Sequence, residues 1–84
     1  MNMIRGDIIE LIREKITEFY QSQKRIFIIT IPSTHFPNGK FYNGIITDVR
    51  DKDFIILDDK EDAVVISFLL IASPEDIQLS RRVE

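Results

Sequence analysis

Cationic side chains and one histidine occur where they could contact a nucleic acid. They are Arg50 and Lys52 in the segment RDKD, Lys24 and Arg25 before an apolar run, and His35 in the loop PSTHFP. Single-stranded nucleic acids are held by cations along the backbone and by flat rings under the bases. These residues are therefore candidate contacts, although charged turn residues and a lone loop histidine are more often simply exposed to solvent.

The acidic balance of the chain limits such an interaction. The formal net charge is −3 at pH 7, whereas domains that hold nucleic acid by bulk electrostatics are usually basic. Seven acidic and three basic residues lie between positions 45 and 62, and three of the acids, Asp48, Asp51 and Asp53, surround Arg50 and Lys52. A polyanion would therefore have to meet a selected face of the molecule.

No arrangement of residues in the sequence is typical of catalysis or of a metal site. The chain has one His and no Cys, and it contains no Gly-rich phosphate loop and no nucleophile elbow. The acidic segments DDKED and DVRDKD lack the ligand order and the Gly that a calcium loop requires. We therefore expect no enzymatic activity, no metal and no cofactor.

Length and hydropathy predict one small domain. With 84 residues there is room for a single core, and we expect one domain over residues 1–84. The longest apolar runs are far shorter than the roughly 20 residues that span a bilayer. The N-terminal segment mixes charges with apolar residues, unlike a signal peptide. We expect no membrane partner and a cytoplasmic location.

The N-terminal third has the periodicity of an amphipathic helix. Apolar residues recur at spacings of three and four, which predicts a helix over about residues 4–22. Asn2 could cap its start, and Gly6 would weaken the first turn, so that the ordered helix begins near Asp7. The residues expected on its apolar face are Ile8, Leu11, Ile12, Ile16 and Phe19.

The remainder of the chain is rich in β-branched and aromatic residues, which favour strands. The segments RIFIITI, KFYNGIITDV, FIIL, AVVIS and DIQL predict five short strands, of which FIIL is expected to be buried on both faces. Asn38-Gly39 is typical of a tight turn in which both residues adopt positive φ. Gly44 lies inside the long second strand, where a glycine indicates a bend or a close backbone approach.

These elements predict a mainly β fold. We expect an N-terminal helix, then a small five-stranded, strongly bent antiparallel barrel over about residues 25–79, and a short C-terminal tail at 80–84. A helix with an ordinary β-meander is the alternative.

The segment NGKFYNGIITDV resembles the first motif of the Sm-like family, which includes Lsm proteins and bacterial Hfq. Gly44, Ile46 and Val49 lie at the matching positions, and the similarity extends over about residues 25–79. The resemblance implies an Sm-like barrel and a homo-oligomeric ring of five to seven subunits, in which the fourth strand of one subunit pairs with the fifth strand of the next. The interface residues it implies are Val64, Val65, Ile66, Ile77 and Leu79. The alternative is that the fourth strand is fully buried within its own monomer.

The same resemblance implies that Arg50, Lys52 and Phe68 lie in turns facing the pore. The sequence departs from the family there. Family members usually carry an aromatic or His side chain in the turn after the second strand, on which a base stacks, and RDKD has neither. The segment VVISFLLIASP lacks both the Arg-Gly of archaeal and eukaryotic members and the Lys-His of Hfq. Phe68 could also serve as a core residue. Two hypotheses follow: a ring that binds single-stranded RNA weakly or with altered specificity, and an oligomeric structural or protein-interaction module without RNA binding.

Overall fold

Residues 5–80 form an N-terminal helix and a five-stranded antiparallel sheet, which confirms the predicted fold class. The computed structural model describes residues 5–80, so Asn2 and most of the predicted tail lie outside the described residues. The strands follow the order β4-β3-β2-β1-β5 across the sheet. The elements are α1 (Arg5–Ser22), β1 (Ile26–Ile29), β2 (Phe41–Val49), β3 (Asp53–Asp58), β4 (Asp62–Ser67), the 3-10 turns Phe68–Leu70 and Pro74–Asp76, and β5 (Ile77–Leu79).

The helix packs one face on the sheet. Ile12 and Ile16 are fully buried, whereas Leu11, which was expected on the same face, is 41% exposed. Leu11 directly precedes Ile12, so its side chain projects about 100° away around the helix. Helical structure includes Gly6, contrary to the expected later start. Packing of the following turns outweighs the modest conformational cost of one glycine.

The sheet curls until distant strands approach each other. The Ile31 N–H just after β1 donates to the Leu70 carbonyl beyond β4 at 2.8 Å. The curl does not close the sheet: within residues 5–80, β4 pairs only with β3 and β5 only with β1. The enclosed core consists of Ile12, Ile16, Ile26, Ile28, Ile46, Phe54, Ile56, Ile66, Phe68, Ile71 and Ile77.

Strand β2 carries two local features that accompany the curl. Gly44 is buried opposite β3, and a Cβ at this position would overlap the Leu57 carbonyl oxygen, so only glycine fits. Three residues on, Thr47 is an extra residue between the pairs Ile46–Ile56 and Asp48–Ile55. Such a bulge bends a strand and increases its twist. The predicted close approach at Gly44 is confirmed, and the bulge was not predicted.

The β1–β2 connection differs in detail from the predicted turn. Gly39 has a φ of +83°, whereas Asn38 does not adopt a positive φ. Phe36 accepts a hydrogen bond from the Gly39 N–H at 2.9 Å, so Pro37 and Asn38 form the centre of the turn. Proline fixes its own φ near −65° and thereby places the turn one residue earlier than the Asn-Gly signal suggests.

Strand β3 is buried on one face only, which corrects the prediction for FIIL. Phe54 and Ile56 are fully buried, but Leu57 is 49% exposed on the opposite, outer face of the sheet. The helix covers only the inner face of the curled sheet, and an antiparallel sheet can leave its other face in water. The outer face of β3 and β4 is consequently apolar and accessible.

Substitution of Gly44 tests whether close backbone approach stabilises the curl. We expect Gly44→Ala to lower the free energy of unfolding by about 3 kcal/mol or more, because the methyl group overlaps backbone that cannot move aside cheaply. Gly6→Ala is the matched control, since a Cβ there meets nothing within 4 Å, and it should leave stability unchanged or raise it by up to about 1 kcal/mol. Urea unfolding followed by circular dichroism measures both; equal stabilities would contradict the role of Gly44.

Candidate nucleic-acid interface

A cleft of about 460 Å³ lies where the helix, the β2–β3 turn and the segment after β4 meet. Its polar rim comes from the β2–β3 turn and its apolar wall from the helix and the 3-10 turn. Two of the predicted nucleic-acid contacts, Lys52 and Phe68, belong to it. The lining residues are Ile9, Arg13, Asp51, Lys52, Ser67, Phe68 and Leu69.

Arg13 organises this cleft and was missed by the sequence analysis. Its guanidinium lies 4.7 Å from the centre of the Phe68 ring and donates hydrogen bonds to the Arg50 carbonyl at 3.0 Å and to the Asp51 carbonyl. A cation over an aromatic face is attracted by the ring quadrupole. The sequence did contain a signal for this role. Arg13 lies four residues after Ile9, on the apolar face of the helix, where a charged side chain needs bonding partners.

Phe68 does not offer a surface on which a base could stack. Its side chain is 2% exposed and packs against Phe54 with ring centroids 5.5 Å apart, while Arg13 covers one face. The predicted contact is therefore corrected to a core role. The side chain that emerges beside it is Leu69, which is 59% exposed.

The two cations of the β2–β3 turn differ in their surroundings. The Arg50 Nε donates to a carboxylate oxygen of Asp53 at 2.6 Å, and this hydrogen bond, together with the charge of Asp53, raises the pKa of Arg50. Its guanidinium is thus committed to closing the turn. Lys52 is exposed and forms no ion pair within residues 5–80, so it is the cation of this turn that can meet a ligand.

The other predicted contacts lie away from this cleft. Arg25 forms an ion pair with Asp59 in the β3–β4 turn, Lys24 is exposed after the helix, and His35 is exposed in the β1–β2 loop. None of the three lines the cleft described above. Of the predicted cations, Lys52 lines this cleft.

The β3–β4 turn forms a second, smaller cleft that is strongly acidic. It measures about 100 Å³ and contains Asp58, Asp59 and Glu61 beside the half-exposed ring of Phe41. Asp58 is almost completely buried, and its carboxylate accepts hydrogen bonds from the N–H groups of Asn43, Lys60 and Glu61 at 2.9–3.0 Å. This carboxylate fixes the backbone of the turn.

The charge of Asp58 is retained despite its burial. Burial raises the pKa of this carboxyl, but the three backbone hydrogen bonds and the positive charge of Lys40 outweigh it, so that the pKa lies below its ordinary value. Lys40 itself donates to Glu61 at 2.6 Å, and its ammonium lies 4.9 Å from the centre of the Phe36 ring. The acids of this turn thus stabilise the fold and hold two of the cations, Arg25 and Lys40.

The predicted interface residues divide into two groups. Val65 on β4 and Leu79 on β5 are 54% and 50% exposed, and they lie on the two edges of the sheet. Ile66 and Ile77 belong to the core, so only their backbone could meet a neighbour, and Val64 packs against the core from the edge. Neither edge carries a proline, and β4 carries its only charge at its first residue.

Further comparisons add no relative. The chain matches no protein-family model, no curated protein and no solved structure. Within residues 5–80, no three acidic or histidine side chains converge on a point that could hold a metal ion. The described part of the chain also contains no helix with the length and apolar character needed to cross a membrane.

Asp58→Asn tests the structural role of the buried carboxylate. Because its folded pKa is lowered, Asp58 stabilises the fold above its ordinary pKa of 3.8, and this contribution is lost as the pH falls below that value. Near neutral pH we expect the substitution to lower the free energy of unfolding by about 1–3 kcal/mol, measured by urea unfolding. Between about pH 5 and pH 2 the variant should lose less stability than the wild type. Asp51→Asn, at an exposed position, is the control; parallel pH profiles for wild type and Asp58→Asn would contradict this role.

Proposed function

We propose that the protein is an Sm-like module that assembles head to tail, with β4 of one copy pairing with β5 of the next. The observation that carries the proposal is the pair of sheet edges that have no further partner strand within residues 5–80, each with a half-exposed apolar side chain, Val65 and Leu79. Edge strands present unpaired N–H and C=O groups, which are a template for pairing with another chain. Proteins that remain monomeric usually protect such edges with lysine, proline or a bulge.

The two edges allow a head-to-tail contact that can close into a ring. The two edges are different strands, so the contact is heterologous, and a heterologous contact gives a ring when its rotation closes. The outer face next to β4 is also apolar, because Leu57 pairs in register with Ala63 and Ile55 with Val65. A chain of 84 residues gains additional buried surface by such association.

The bonding of three arginines within the fold favours assembly over nucleic-acid binding as the primary role. Arg13, Arg25 and Arg50 are engaged with carbonyl groups, carboxylates or an aromatic ring of the fold. The ring that was expected to stack on a base is buried. A structural or protein-interaction module needs neither a basic surface nor a stacking platform.

Val65→Lys tests the proposed edge contact. A lysine on an exposed edge strand opposes pairing, so we expect the variant to dissociate at concentrations at which the wild type is oligomeric. Leu57→Lys is the matched control, because Leu57 is similarly exposed on the same face but lies on β3, whose two sides are already paired. Sedimentation velocity measures the assembly, and circular dichroism verifies that both variants are folded. A wild-type monomer at hundreds of micromolar would refute the assembly.

Binding of single-stranded RNA is the second candidate function. It is favoured by Lys52, which is exposed at the rim of the 460 Å³ cleft beside the exposed side chain of Leu69. In a ring this cation would be repeated in every subunit, so weak contacts could add together. Lys52 would contact the phosphate backbone and Leu69 an apolar surface of the ligand, and no base would stack on Phe68.

Titration of labelled uridine-rich and adenine-rich RNA at low salt tests this second function. Phosphate contacts strengthen as salt falls, so we expect binding at low ionic strength and a several-fold loss in Lys52→Ala. Lys60→Ala removes the same charge from the acidic β3–β4 turn and should leave the affinity unchanged. Absence of binding even at low salt would exclude RNA and leave assembly as the function.

A further inference from the structure

We propose that Asn38 is a site of spontaneous deamidation in the folded protein, and that the sheet protects the second Asn-Gly step of the chain, at Asn43. The chain has three asparagines, and two of them are followed by glycine, in the segments PNGK and YNGI. The same dipeptide therefore occurs once in the β1–β2 loop and once inside β2. The two surroundings give the two asparagines different reactivity.

The reaction requires only water besides the chain itself. The main-chain nitrogen of the glycine, after losing its proton to solvent, attacks the side-chain amide carbon of the asparagine. A carbon–nitrogen bond forms, the bond to the side-chain nitrogen breaks, and that nitrogen takes up a proton and leaves as ammonia. Water then opens the resulting imide ring at either carbonyl carbon, which gives aspartate or isoaspartate. Glycine favours ring closure because it has no Cβ and adopts conformations closed to other residues.

Asn38 lies where this attack meets little resistance. Its side chain is exposed and forms no hydrogen bond within residues 5–80. The attacking nitrogen is that of Gly39, whose N–H donates to the Phe36 carbonyl at 2.9 Å, and the same carbonyl also accepts the Ser33 N–H at 2.9 Å. When the Gly39 N–H leaves this carbonyl, the Phe36 oxygen therefore keeps a hydrogen-bond partner.

Opening of this turn is a local event. Thr30 and Lys40, which flank the loop, are joined by their own hydrogen bonds: the Thr30 N–H donates to the Lys40 carbonyl and the Lys40 N–H to the Thr30 hydroxyl, both at 2.9 Å. Gly39 is buried against the Thr30 carbonyl, so its nitrogen reaches the Asn38 side chain only when the turn rotates away. Exposed loops open at a small fraction of the free energy of unfolding. Deamidation at Asn38 therefore proceeds from the folded state.

Asn43 is held on both sides of β2. Its N–H donates to the buried Asp58 carboxylate at 2.9 Å, and its carbonyl accepts the Asp59 N–H at 2.9 Å. The attacking nitrogen would be that of Gly44, which lies in register with Ile26 of β1 and with Asp58 of β3. Attack there requires β2 to separate from its neighbours, which costs close to the full free energy of unfolding.

Deamidation changes both the charge and the main chain of the loop. One event changes the formal net charge from −3 to −4, because a neutral amide becomes a carboxylate. Isoaspartate also inserts one additional carbon into the main chain between Pro37 and Gly39, so the turn no longer keeps its present hydrogen bond from Gly39 to Phe36. The buried core described above includes no residue of this loop, and we expect the fold to survive.

Peptide mapping tests the site. Trypsin cleaves after Arg25, Lys40 and Arg50 and thereby puts the two asparagines into separate peptides, residues 26–40 and 41–50. After incubation of the folded full chain at mildly alkaline pH, we expect the deamidated fraction, measured by mass spectrometry, to grow at least about tenfold faster in peptide 26–40. In urea, where both steps are unfolded, the two rates should agree to within about threefold. A sample digested without incubation corrects for reaction during digestion.

Asn38→Gln is the matched variant, because glutamine would have to close a larger ring and reacts much more slowly. Isoelectric focusing of the intact chain should show a more acidic species that accumulates in the wild type and not in Asn38→Gln, and circular dichroism verifies that both are folded. A rate at Asn43 equal to or above that at Asn38 in the folded chain would refute protection by the sheet. Reaction of both asparagines in urea but of neither in the folded chain would show that the turn stays closed, and would refute the site at Asn38.

Discussion

The close approach of the Leu57 carbonyl to the α-carbon of Gly44 accompanies the curl on which the rest of the molecule depends. No other residue type fits between these strands, because any Cβ at position 44 would occupy the space of the carbonyl oxygen. With the bulge at Thr47, this approach lets a five-stranded sheet bend around a core that eleven buried apolar residues fill. A flat sheet of the same length would leave that core open to water on one side.

The same curl leaves the features from which assembly is inferred. It brings the ends of β1 and β4 close enough for the Ile31–Leu70 hydrogen bond, yet the two outer strands each keep one unpaired edge among the described residues. Their half-exposed apolar residues are not needed to complete the core of one copy. A second copy could satisfy the backbone groups of the edges and cover these side chains in one contact, which is why we favour assembly over a purely monomeric role.

Three arginines in the described part of the chain support the fold, and this limits nucleic-acid binding. Arg13 joins the helix to the β2–β3 turn and covers Phe68, Arg50 closes that turn, and Arg25 joins the start of β1 to the β3–β4 turn. A guanidinium held by several hydrogen bonds gives them up only at a cost when it turns to a phosphate. Within residues 5–80 the Lys52 ammonium forms no ion pair, and it is therefore the residue on which the second candidate function depends.

The sequence by itself determined the secondary structure and the position of the bend, because these depend on local periodicity, on turn residues and on the absence of a side chain at Gly44. It predicted the helix, the five strands and their approximate limits. It could not show that Leu57 and Leu11 are exposed, that Phe68 is buried, or that Arg13 is the centre of the cleft. Those properties depend on which faces meet after the sheet curls, and the apolar pattern of a short strand is the same whether one face or both are covered. Only the tertiary structure decided which cations are engaged in the fold. Asp53 is near Arg50 in the sequence, so that pair is local. Asp59 reaches Arg25, and the carbonyls of the β2–β3 turn reach Arg13, only after the chain has folded.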